Sequence, residues 1–206
     1  MSYYYPSNCD LLPDHALSLC DEVEYGRIRS AGFILLDHTF DATRTDEWQH
    51  GIIYKKIIVI PETNGDSPKA TPVMAPAYGL RPESVIGYEF TAHYTDPAFL
   101  TNCDFYNAAV GNMNYRFFYR TSSHVFITDV PCSITPNRDI KNDLTSEIVW
   151  EVDVKWLSKS FACATPIPPY VFDTNTIIHL PQPTTGTTGG GGGTLPGGTG
   201  TGGGTG

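Results

Sequence analysis

Basic residues are scarce in this chain of 206 residues: 13 Lys and Arg stand against 22 Asp and Glu, a formal net charge of −9. Affinity for nucleic acid comes mainly from cations that neutralise phosphates, so this balance argues against specific DNA or RNA binding and against attachment to anionic lipid. Also missing is any apolar run near the roughly 18 residues that cross a bilayer. The greasiest stretch, Gly51 to Ile60, is broken by Lys55 and Lys56. The opening Met-Ser-Tyr-Tyr-Tyr-Pro has neither the basic nor the apolar part of a secretory signal. The expectation is a soluble protein made in a cytoplasm, without a membrane partner.

Paired cysteines are absent as well. The five cysteines, Cys9, Cys20, Cys103, Cys132 and Cys163, are odd in number, widely spread and free of any CxxC spacing. Neither a disulfide framework nor a zinc site is indicated, and free thiols packed as small hydrophobes are the expected state. Catalytic signatures are lacking too: there is no GxSxG elbow, phosphate-binding glycine loop, HExxH or EF-hand loop. His38 and His50 flank a charged loop, Thr39 to Glu47, that leads to Trp48 and carries Asp41 and Asp46. Such a loop reads as solvated, with a cation near His38 and Asp41 as the alternative. Glu147, Glu151 and Asp153 form a row of carboxylates. Alternate members of a strand lie about 7 Å apart, which a two-carboxylate hydrolase would need in a cleft. Here the row reads as the outward face of a strand. No catalytic, cofactor or metal residue is expected, and the chain is not expected to be an enzyme.

Glycine, by contrast, is concentrated in one place. Residues 181–206 contain 13 of the 20 glycines, 8 Thr, 3 Pro, a single Leu and no charge. Such a segment cannot bury enough apolar surface to offset the entropy of ordering it, so it is expected to be a flexible tail. Residues 1–25 read as an N-terminal arm. In it Tyr3, Tyr4 and Tyr5 sit in a polar setting suited to packing on a neighbouring subunit. Residues 26–180 remain as a single domain.

Within that domain, apolar and polar residues alternate, the period of strands. Thr145 to Lys159 is the clearest case, with Ile148, Trp150, Val152, Val154 and Trp156 on one side. Ile86 to Tyr94 and Met113 to Arg120 repeat the pattern. Gly26 to Leu36, Gly51 to Ile60, His124 to Val130 and Tyr170 to Leu180 complete about seven strands. One stretch predicts a helix: Asp96-Pro97 offers a cap, apolar residues follow at three-and-four spacing, and Gly111 stops it. Pro13 to Glu24 is a weaker helical candidate. Residues 61–82 carry Pro61, Pro68, Pro72, Pro76 and Pro82 and read as a long Pro-rich loop serving as an interaction arm. Mainly β structure, a β-sandwich or barrel with one flanking helix, is the expected fold class.

The order of these pieces resembles a known group. Glu24-Tyr25-Gly26-Arg27-Ile28-Arg29-Ser30-Ala31-Gly32-Phe33-Ile34 is followed by Trp48. Then come Gly87-Tyr88-Glu89-Phe90-Thr91-Ala92-His93-Tyr94, Asp96, Phe105, Tyr106-Asn107 and Asn114-Tyr115-Arg116-Phe117-Phe118-Tyr119-Arg120-Thr121. Ile148 to Trp156 closes the series. Over Glu24 to Trp156 this progression is similar to virion structural proteins of Bacteroidota phages and prophages, of the tail tube or major tail type. The resemblance implies a β-sandwich that assembles into rings, commonly hexameric, stacked as a tube in the virion. Its partners would be copies of itself and other virion proteins. Trp48, Pro68, Pro72, Pro76 and the three tyrosines would lie at interfaces, and an acidic lumen, with Glu147, Glu151 and Asp153 as candidates, would let DNA pass without adhesion. The competing reading is a carbohydrate- or surface-binding β-sandwich module, its exposed aromatic rings forming a platform and its Gly/Thr tail a linker.

Overall fold

A computed structural model describes residues 26–77, 83–139, 147–173, 177, 179 and 180. The N-terminal arm with Tyr3, Tyr4 and Tyr5, the helical candidate 13–24 and the Gly/Thr tail lie outside the described residues. The elements are β1 (Arg27–Ile28), β2 (Ser30–Leu35), α1 (Thr45–Ile53), β3 (Ile57–Ile60), β4 (Asn64–Ala75) and β5 (Ser84–Asp96). They continue with α2 (Cys103–Ala109), β6 (Tyr115–Arg120), β7 (His124–Pro131), β8 (Ser133–Asp139), β9 (Val149–Ser158) and β10 (Ala164–Pro166). The fold is a β-sandwich of two five-stranded antiparallel sheets, ordered β1-β4-β5-β9-β8 and β10-β7-β6-β2-β3.

Alternation does what the period-two pattern requires. In β9, Trp150, Val152, Val154 and Trp156 are buried, while Asp153 and Lys155 point to solvent. The same face of β5 contributes Phe90, Ala92 and Tyr94. Rings from the opposite sheet meet them, with Phe117 stacked on Tyr94 at 6.3 Å and tilted against Trp156 at 5.6 Å. β6 is buried on both faces. Phe117 points into the sandwich, and Phe118 points the other way into a second cluster with Ile34, Trp48, Ile57, Val125, Val171 and Phe172. A third layer, α1 with the turn around 170–172, therefore covers the outer face of the second sheet. The outer face of the first sheet carries no such layer among the described residues.

Four expectations are corrected here. Residues 64–75 of the Pro-rich segment are not a loop but the twelve-residue strand β4. Pro68 sits in the bulge between Asp66 and Lys69, and Pro72 pairs with Tyr88 on a strand whose other side, beyond Asp66, has no partner strand among the described residues. A residue without an N–H is tolerated at such an edge and blunts it against further pairing. Pro76 follows the strand and is exposed. Second, the end of the charged loop, Thr45 to Glu47, joins Trp48 and the first residues of the expected strand in α1, with Asp46 and Glu47 in its first turn favouring the positive helix end. Third, the described residues of Tyr170 to Leu180 form no strand: Tyr170 takes φ 63° and Val171 and Phe172 pack as turn residues. Fourth, the helix begins later than the Asp96-Pro97 signal suggests, at Cys103. Its end is where glycine places it, since Gly111 has φ 73°, a left-handed conformation that other residues adopt at a cost.

Candidate functional site

Long antiparallel pairing makes β4 and β5 a hairpin that outruns its neighbours. β9 stops at Ser158, opposite Tyr88, yet β5 begins four residues earlier at Ser84 and stays paired with β4 as far as Ala75. Among the described residues the overshooting part has no sheet partner on the β9 side and nothing covers its side chains. Met74, Val85 and Ile86 are exposed, as is Leu157 on the neighbouring strand at 60%. A groove of about 390 Å³ lies between the hairpin and the end of β9, lined by Val73, Ile86, Val130 and Leu157 with Asp129 and Lys159. Asp129 accepts a hydrogen bond from Ser158 Oγ at 3.4 Å, a contact that ties β7 to the end of β9.

At the opposite end of the same sheet, β5 turns into the 97–102 segment. Asp96 accepts hydrogen bonds there from Ala98 N (2.9 Å), Asn102 Nδ2 (2.8 Å) and Tyr106 Oη (2.8 Å). The Trp150 Nε1–H donates to Phe99 O at 3.0 Å. These bonds hold out a second apolar patch that no other described residue covers, Leu100 at 90% and Ile148 at 42% exposure, on a cleft of about 640 Å³ that Glu147 also lines.

The broad outer face of this sheet holds the carboxylate row. Glu151 and Asp153 point outward from β9 as expected, and Glu147 is exposed just before it. The face is not uniformly acidic. In register beside them lie Arg27, Lys69, Lys155 and His93, along with Asp66 and Glu89. His93 Nδ1 is 2.9 Å from Asp153 Oδ1.

Trp48, expected at an interface, is instead wholly buried within the chain. Its indole meets Phe40, Phe118 and Phe172 edge-on at 5.0 to 5.2 Å, and Nε1 donates to Ala42 O at 2.9 Å. The acids around it turn to one cation: Arg44 binds Asp46 and Glu47, and Asp41 accepts from Thr43. Asp46 and Glu47 line one open cleft with Asp37, His38 and His50, which Asp41 does not join, yet among the described residues no group of three His, Cys, Asp or Glu side chains is placed to hold a metal ion. Exposed aromatic rings are spread over separate elements, Tyr54 ending α1, Phe161 following β9 and Tyr170 in the turn after β10. No described helix is long and apolar enough to cross a membrane.

His38 is the titratable group that α1 constrains most. Its ring stacks on Phe40 at 5.3 Å, and its Nε2 is buried without a hydrogen-bond partner against Gly51, where a side chain would intrude at 3.1 Å. Burial, then the positive charges of Lys56 and Arg116 and the neighbouring His50, hold its pKa below the ordinary 6.5, with Asp37 opposing weakly. An unfolded chain binds this proton more readily than the folded one. The stabilising effect of a neutral His38 is therefore complete above pH 6.5 and is lost as pH falls from there through the lower folded value. Urea midpoints measured across this range should fall on acidification, and His38→Gln should flatten that part of the profile. An unchanged slope in the variant would assign the acid sensitivity elsewhere.

No family model, curated protein or solved structure matches this chain. The hairpin overshoot and the two uncovered apolar ends were missed by sequence reasoning. The available signal was Val73-Met74 and Val85-Ile86 on either side of a proline-bounded turn region, apolar pairs in a stretch that otherwise reads as polar loop.

Proposed function

We propose that this protein is a self-assembling structural subunit of the tail tube type, a virion component whose copies form stacked rings. The observation that carries the reading is the β4–β5 hairpin, which extends past the end of β9 and presents Met74, Val85 and Ile86 where no other described residue covers them. Exposed apolar side chains gathered on a projecting hairpin mark a contact surface more than a solvated one. The chain's net charge of −9 fits a passage that does not hold DNA. The mixed outer face of the first sheet does not single out Glu147, Glu151 and Asp153 as its lining, so the lumen reading rests on the whole chain's charge.

Purified protein should form rings or tubes visible by negative-stain microscopy, with sedimentation coefficients that rise with concentration. A chain that sediments as a monomer up to its solubility limit would sink the reading.

A further inference from the structure

We propose that the two uncovered apolar ends of the β1-β4-β5-β9-β8 sheet are the two halves of one head-to-tail contact between copies of this chain. The hairpin end of one copy would seat on the Pro97–Leu100 and Ile148 cleft of the next. This rests on the self-assembly reading and names the surfaces that carry it.

Three observations fix the occupant as a second copy. The two patches flank opposite ends of β9, ten residues long, and so lie about 30 Å apart on a continuous strand. A single chain cannot bring them together. The surfaces also differ, a hairpin that projects past the end of β9 and a cleft of about 640 Å³ beside Leu100, so a contact between them joins two unlike patches. Their rims also carry opposite charges. Lys159 borders the hairpin groove and Glu147 borders the cleft, and neither has an ion-pair partner among the described residues. Asp129, the other charge at the hairpin groove, already accepts a hydrogen bond from Ser158 and lies near the Arg116 guanidinium. This leaves Lys159 facing outward to meet Glu147 of the next copy.

A contact between two different surfaces does not close on a dimer. It repeats until a rotation closes a ring, or it continues as a filament. β-Strand addition along β4 is a poorer route, because Pro68 and Pro72 interrupt that edge.

The test uses the full chain and two exposed substitutions, Ile86→Glu at the hairpin end and Leu100→Glu at the cleft. Sedimentation velocity over a concentration series should show assemblies beyond a dimer for the wild type and monomer for each variant alone. An equimolar mixture of the two variants should give a dimer and nothing larger, since each still carries one intact surface. Lys159→Glu should weaken assembly by about ten-fold or more, and adding Glu147→Lys in the same chain should restore it. Circular dichroism confirms that each variant is folded, and the charge-reversal pair keeps the test alive if one of the apolar substitutions fails to fold.

Assembly of both single variants at the wild-type level would overturn this pairing of surfaces while leaving self-assembly standing. Loss of assembly in Ile86→Glu with none in Leu100→Glu would point to a symmetric hairpin-to-hairpin contact and overturn it as well. A wild type that stays monomeric would remove the self-assembly reading, and this proposal with it.

Discussion

Trp48→Ala is expected to destabilise the isolated subunit by about 3 to 5 kcal/mol, a large part of the roughly 5 to 15 kcal/mol that holds a typical domain together. The indole is fully buried and touches Phe40, Phe118 and Phe172, three rings from three parts of the chain. Removing it leaves a cavity that α1, the 170–172 turn and the face of β6 must share, and it leaves Ala42 O without its donor. The loss should be uneven. Because Trp48 belongs to the outer cluster and not to the one between the sheets, hydrogen exchange should show α1 losing protection while β5 and β9 keep theirs. Trp48→Phe, which keeps a ring but not the donor, should cost clearly less. A tryptophan that served only at an interface would behave differently: the monomer would keep its urea midpoint and only assembly would weaken. Equilibrium urea unfolding of the monomer separates the two.

The contrast between β9 and β4 shows where the sequence is legible. β9 is half-buried along most of its length, so Trp150, Val152, Val154 and Trp156 alternate with Glu151, Asp153 and Lys155, and the strand can be read residue by residue. β4 is longer, but it is exposed along most of its length, and its last residues, Val73 to Ala75, stand beyond the end of β9. Nothing selects an apolar alternation there, and Pro68 and Pro72 suggest a loop unless the strand is known to be an edge. α1 was hidden for a related reason. Trp48 and Gly51 are its buried residues, and only Tyr54, Lys55 and Lys56 separate the following Ile52 and Ile53 from Ile57 to Ile60, so the helix end and the strand read as one stretch of mostly apolar residues.

The candidate site follows the same rule. The direction of Glu151 and Asp153 was readable from the period of β9. Their cationic company was not, because Arg27, Lys69 and His93 come from strands distant in sequence and join the face only through register. The two apolar ends depend on where β9 stops relative to β5, a fact of pairing that no single segment states.

Asp96→Ala is the second change expected to cost about 3 to 5 kcal/mol, and it should also reach assembly. Asp96 ends β5 and is 2% exposed, yet it carries a carboxylate. It is tolerated because Ala98 N, Asn102 Nδ2 and Tyr106 Oη all donate to it. Alanine would leave those donors facing a buried gap. Each buried donor left unsatisfied costs about 1 to 3 kcal/mol, and partial solvation of the 97–102 turn keeps the total below the simple sum. The Tyr94 hydroxyl, buried beside Tyr106 and without a hydrogen-bond partner of its own, is an acceptor to which Tyr106 could turn, so the cost falls mainly on the Ala98 and Asn102 donors; burial raises the pKa of both phenols and keeps them neutral. Tyr106→Phe removes one donor and leaves Asp96 with two, so it should cost only about 1 to 2 kcal/mol. The same carboxylate sets the path of Pro97 to Leu100, whose other fixed point is the bond from Trp150 to Phe99 O. With Asp96 gone this segment is held at one end only, and the cleft that presents Leu100 and Ile148 loses its shape. Under conditions where the variant remains folded, Asp96→Ala should therefore assemble less well than wild type, and Tyr106→Phe should assemble nearly as well. Equal assembly by wild type and a folded Asp96→Ala would mean that this end of the sheet is not where copies meet.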